Sequence, residues 1–195
     1  MGKNRLEAFT DGVVAIIITI MVLELKVPTS ADLEGLLAAA PSFLIYALSF
    51  INVGLFWNNH HHVLHATRQV NGTVLWANLF LLFWLSLVPF VIRWIGDAGI
   101  SPLPIAAYGL VLTLSAIGYT WLEHAIIAAN PRNRVLARAI GTDWKGWLSL
   151  LAYIAAMPLA FLSPYVSIAI YLVVAIVWLI PDRRIETLVG DGKEG

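Results

Sequence analysis

Four histidines fall within six residues, His60, His61, His62 and His65, in the stretch WNNHHHVLH at residues 57–65. Imidazole ligates metals, titrates near neutral pH and hydrogen-bonds to carboxylates and amides, so three chemistries compete for the stretch. Neighbouring residues on a helix point in different directions, so His60, His61 and His62 cannot all converge on one ion. His61 and His65 stand at i and i+4 and share a face. That spacing suits a metal or the edge of a haem, with His124 the remaining candidate, but no third ligand on another helix is identified. A pH-sensing role is the second reading. The default is a packing network in which a histidine donates to Asp11 or to an asparagine.

The other concentration of reactive types is RLEAFTDGVVAIIITIMVLEL, residues 5–25, where Arg5, Glu7 and Asp11 crowd the start of an apolar run. Ionisable groups at membrane depth are costly and pair with one another inside a bundle. Asp11 and Arg5, the histidines near the end of a second run, and Asn78 near the start of a third all fall at one depth. They form a polar layer of structural or gating character. No Ser-His-Asp, Walker, HExxH or GxGxxG arrangement occurs, so the chain is not read as an enzyme. GYT at 118–120 is not a TVGYG filter, so a carbonyl-lined potassium filter is absent.

The elements that position these residues are membrane helices. Hydrophobic residues make up 59% of the 195, charged residues 12%, and mean hydropathy is +0.81. That composition belongs to a polytopic membrane protein, all-α, and it leaves no basic face for nucleic acid. Without cysteine there is no disulfide and no thiolate metal site. Six runs are long enough to cross about 30 Å of hydrocarbon, at about 7–25, 42–66, 74–95, 104–129, 145–162 and 165–181. The first is read as a retained span, because Glu7 and Asp11 spoil the basic start of a signal peptide. No internal repeat is evident, so the chain is one six-helix unit, residues 1–181, with a tail at 182–195. Ten of the twelve basic residues fall on one side: Lys3, Arg5, Arg68, Arg132, Arg134, Arg138, Lys145, Arg183, Arg184 and Lys193, against Lys26 and Arg93. This bias predicts a multi-pass protein with both termini in the cytoplasm. Trp76, Trp94, Trp144, Trp147 and Trp178 suit interfacial belts.

On the first helix Ile16, Ile20 and Leu23 share a face, with Thr19 beside them. The helix is apolar all round, so periodicity alone leaves open whether that face meets lipid, protein or water. Glu24 at the far end either draws cations toward an outer mouth or pairs with Lys26.

RLEAFTD at 5–11 resembles the Arg-x-x-x-Phe-Ser-Asp signature that opens the first helix of the endolysosomal potassium channel family, transmembrane protein 175, and its prokaryotic homologues. GVVAIIITIMVLELKVP after it, WNNHHH at 57–62 and NLFLLFWLSLVPF at 78–90 carry the same likeness. The likeness covers roughly the first half of the chain, and the six-span layout covers the rest. Animal members hold two six-helix repeats and assemble as dimers, whereas single-repeat prokaryotic members form tetramers, so the resemblance implies a homotetramer in the cell membrane. It also implies a pore lined by the first helix of each subunit with no pore loop, the main constriction at Ile16, a polar ring at Thr19 and further apolar rings at Ile20 and Leu23. Arg5, Phe9, Thr10 and Asp11 then match a signature network that packs against His60 or His61 and against Asn78. Thr10 replaces the signature serine, keeping the hydroxyl on a stiffer side chain. The implied activity is potassium-permeable conduction with sodium and other monovalent cations as further permeant ions, and no cofactor or metal. The rival class is a proton-coupled secondary transporter using Asp11 and the second-helix histidines. Broken helices and inverted repeats would favour it, and neither is evident in the sequence.

Overall fold

A computed structural model of the chain describes residues 2–28, 30–65, 67, 69–131, 133 and 144–180. The described residues form helices α1 (Lys3–Leu23), α2 (Leu33–His65), α3 (Gly72–Leu85), α4 (Val88–Ala98), α5 (Pro102–Ala129), α6 (Trp144–Leu159) and α7 (Pro164–Leu179), with no strand among them. Since α3 and α4 are two pieces of one span, the helices make six crossings, as the sequence predicts. The tail and most of the basic residues that argue for orientation (Arg68, Arg132, Arg134, Arg138, Arg183, Arg184 and Lys193) lie outside the described residues.

Three boundaries differ from the sequence reading, each for a local reason. The second span begins at Leu33 rather than near residue 42. Asp32 Oδ1 accepts from the Gly35 N–H (2.9 Å) and from Ser30 Oγ (2.8 Å), a cap that starts the helix early. Those bonds, the Gly35 N–H first, hold the Asp32 carboxyl below the usual carboxylate range. The 33-residue α2 is about 50 Å long and exceeds the bilayer core. The third span is not continuous. Pro89 follows the Ser86–Leu87 turn and has no N–H to return to Leu85, so the ladder tightens to Leu87 N→Trp84 O and restarts at Val91 N→Leu87 O. The expectation of unbroken helices is corrected at this point. The last two helices have 16 residues each, about 24 Å, and form a tight hairpin in which Ser167 Oγ donates to Ala156 O (2.7 Å).

The long, apolar α5 is the hub, packing against α3, α4, α6 and α7. At Gly118 a Cβ would sit 3.0 Å from the Cα of Leu81 on α3, so the absence of a side chain lets the two backbones run close together there. α1 packs on the opposite side of the bundle, against α2, α3 and α4. A buried polar cluster ties α2 to α5: Ser49 Oγ donates to Tyr108 Oη (3.0 Å), as does Asn52 Nδ2 (3.3 Å).

Candidate functional site

α1 has two contrasting faces. Leu6, Thr10, Val14, Ile17 and Met21 are buried at steps of three and four, the stripe that seats the helix on its neighbours. The other side is bare. Phe9 is 47% exposed, Ile16 59%, Ile20 40% and Leu23 80%, with Gly12 and Thr19 exposed between them. Thr19 Oγ1 donates its proton to Ile16 O (2.9 Å), which leaves the hydroxyl oxygen as an acceptor on the exposed side.

Three buried side chains from three helices join on the seated face. His60 Nε2 lies 2.7 Å from Asn78 Oδ1, and Asn78 Nδ2 donates to Thr10 Oγ1 (3.0 Å). With the amide in this orientation, His60 must be the Nε2–H tautomer. Asn78 is wholly buried, and Thr10 and His60 nearly so. This trio links α1, α2 and α3 in apolar surroundings, where a lost bond leaves an orphaned dipole.

A second set of contacts runs along the α1–α2 seam. Lys3 Nζ donates to His65 O (2.8 Å), His61 Nδ1 stands 3.3 Å from Glu7 Oε1, and Trp57 Nε1 donates to Asp11 Oδ1 (2.8 Å). The antiparallel pairs 3–65, 7–61 and 11–57 advance by four on each helix, so they form a ladder with one rung per turn. His60 and His61, alternatives in the sequence reading, therefore bond to different partners: His60 to Asn78 and His61 to Glu7. Trp57, Lys3 and Glu7 were not assigned to the network from sequence. Polar groups at every fourth residue of both helices are the signal that would have found them.

Arg5 and Phe9 are not brought into this network. They stand four apart in line with the bare stripe, and the Arg5 side chain makes no hydrogen bond or ion pair among the described residues, its backbone N–H alone donating to Gly2 O (3.1 Å). Among the described residues no group of three or more His, Cys, Asp or Glu could hold a metal ion. His124 bonds instead to Thr120 O (2.7 Å).

At the other end of α1, Glu24 Oε2 accepts from Arg93 Nη1 (3.0 Å), while Lys26 pairs with Asp97 (2.6 Å). The pairing of Glu24 with Lys26 is therefore corrected. The chain leaves the helix after Leu23 and carries Lys26 toward the end of α4, and Arg93, one turn earlier on α4, reaches Glu24.

Residues 5–89 match the family described as endosomal/lysosomal potassium channel TMEM175. A potassium channel of Chryseobacterium sp. (strain P1-3) is 51% identical over 186 residues, covering 95% of this chain and 97% of that one. The chain belongs to this family. TMEM175 proteins are ion channels, and the chain is not an enzyme. A potassium channel of Streptomyces collinus is 31% identical over 180 residues, 86% of each chain. The mouse endosomal/lysosomal proton channel TMEM175 is 36% identical over 101 residues, 46% of this chain and 20% of its own length. Among solved structures, a homologue from Chamaesiphon minutus of the lysosomal potassium-selective channel TMEM175 superposes with a TM-score of 0.76. It is 28% identical and covers 91% of this chain and 96% of its own. The segment that matches the TMEM175 family contains the bare stripe, the buried trio and two of the three ladder rungs.

Proposed function

We propose that the chain is a potassium-permeable cation channel of the cell membrane, a homotetramer whose pore is lined by α1 of each subunit. The observation that carries the reading is the bare stripe of α1, facing away from every helix that holds it. Four copies of Ile16 meeting on an axis would form the main constriction, with Ile20 and Leu23 as further apolar rings. An apolar ring excludes water when narrow, so it gates by dewetting and conducts when it widens or hydrates. Thr19 suits the step beyond the constriction, because its hydroxyl oxygen can accept a dehydrating cation while its proton stays on the Ile16 carbonyl.

Thr10, Asp11, His60, His61 and Asn78 act as the clamp that orients this helix. Arg5 and Phe9 stand on the pore side of it, where their partners are other subunits or the permeation path. Glu24, neutralised by Arg93, anchors the outer end of α1 more than it attracts cations. Residues 1–181 form the channel unit and 182–195 a cytoplasmic tail, with both termini inside. Potassium, sodium and other monovalent cations are the transported species, and no cofactor takes part. The test is the reversal potential of purified protein in a planar bilayer under a potassium gradient, then with sodium replacing potassium. Reversal near the potassium potential supports the proposal. Absence of current, or flux that requires a proton gradient, overturns it in favour of a transporter.

A further inference from the structure

We propose that the groove between α6 and α7 is a binding site for one anionic phospholipid, with an acyl chain lying in the groove and Lys145 taking the phosphate. The groove is a cavity of about 370 Å³ on the outside of the bundle, walled by Ala152 on α6 and by Val166, Ala169, Val173 and Val177 on α7. Ala152 and Ala169 are small enough to open a trough between two helices that otherwise present large exposed side chains such as Leu151, Leu172 and Ile176. Lys145 closes one end.

Three observations select the occupant. The wall from Val166 to Val177 spans eleven helical steps, about 16 Å, which is half of a roughly 30 Å core and so the depth of one leaflet. The flanking Trp144 and Trp147 are exposed, as residues at the headgroup level are, and this puts Lys145 beside lipid phosphates. The Ser149 hydroxyl in the wall accepts from Trp178 Nε1 (2.8 Å), so the trough offers apolar surface along its length and a positive charge at its end. α6 and α7 pack on α5, with α7 also reaching α2, away from the bare face of α1. The site therefore does not use the face of α1 on which the channel reading rests.

The test is native mass spectrometry of the full chain, released from detergent after incubation with phosphatidylglycerol or with phosphatidylcholine of the same chain length. The wild type should retain phosphatidylglycerol about fivefold more strongly, the effect of one cation near an anionic headgroup. Lys145→Gln should abolish that preference and Lys145→Arg should restore it. Ala152→Leu and Ala169→Leu, which fill the trough, should each lower retention of both lipids severalfold, with thermal midpoints confirming intact folds. Equal retention of the two lipids by the wild type would overturn the proposal. So would a preference that survives Lys145→Gln, or retention undiminished by both leucine variants.

Discussion

Asn78 is the residue whose removal should report most directly on how α1 is held. Asn78→Ala takes away both the acceptor for His60 Nε2 at 2.7 Å and the donor to Thr10 Oγ1 at 3.0 Å, and both partners stay buried. In water-soluble cores, two orphaned polar groups would cost about 2–6 kcal/mol. Interhelical hydrogen bonds in membranes average nearer 0.6 kcal/mol, because the unassembled helices find other partners. Two such bonds and the lost side-chain packing give a loss of about 1–3 kcal/mol, and the lower scale should win here because every helix involved is a membrane span. A double-mutant cycle separates the bond from the packing. Thr10→Val alone removes the hydroxyl and keeps the shape, and with Asn78→Ala in place it should cost almost nothing further. The thermal midpoints of the four proteins in one detergent should then show a coupling of about 0.6–1.7 kcal/mol. Additivity within about 0.3 kcal/mol would refute the claim that Thr10 and Asn78 act together, and with it this half of the clamp.

Other outcomes follow from the same geometry. Ile16→Asn should hydrate the constriction, raising leak and lowering potassium over sodium selectivity in bilayer recordings, and unchanged conductance would move the gate elsewhere. Asp11→Ala should lose assembly or conduction, and Trp57→Phe should reproduce a milder part of that loss, about 1 kcal/mol in thermal stability, because the ring stays and one 2.8 Å hydrogen bond goes. A fully functional Asp11→Ala channel would remove the carboxylate from the mechanism. Gly118→Ala should cost about 1–3 kcal/mol, since the new methyl meets the Leu81 backbone rather than a side chain that can yield, and an unchanged melting temperature would show that α3 and α5 can separate without penalty.

What was legible in the sequence followed from signals that are local along the chain. The six spans are long apolar runs. The Ile16, Ile20 and Leu23 face is a matter of helical spacing, and the meeting of Asp11, the histidines and Asn78 at one depth followed from span order alone. Partner choice was not legible. His60 and His61 differ by about 100° around α2, and only the rotation of α2 against α1 and α3 decides that one reaches Asn78 and the other Glu7. Trp57 stands out in the sequence only as part of WNNHHH, and its partner Asp11 is 46 residues away along the chain. The break at Ser86–Leu87 was concealed because SLVPF stays apolar through the kink, and the early start of α2 because the Asp32 cap sits in a stretch that reads as loop.

Two contacts on different sides of α1 bear on which face is left for a pore. Thr10, bonded to Asn78, and Asp11, bonded to Trp57, are adjacent residues and therefore about 100° apart around the helix. Together they fix its rotation as well as its position, which neither could do alone. The direction opposite the pair falls within about 10° of Ile16, which lies about 120° from Thr10 and about 140° from Asp11. Exposure of an isoleucine costs nothing in lipid, so the bare stripe by itself does not demand a partner. A clamp that spends buried polar bonds to aim that stripe does demand a reason. On a face that merely met lipid one apolar residue would serve as well as another, whereas a pore ring would lose its constriction if a one-residue turn swung Ile16 off the axis and brought Ala15 or Ile17 toward it.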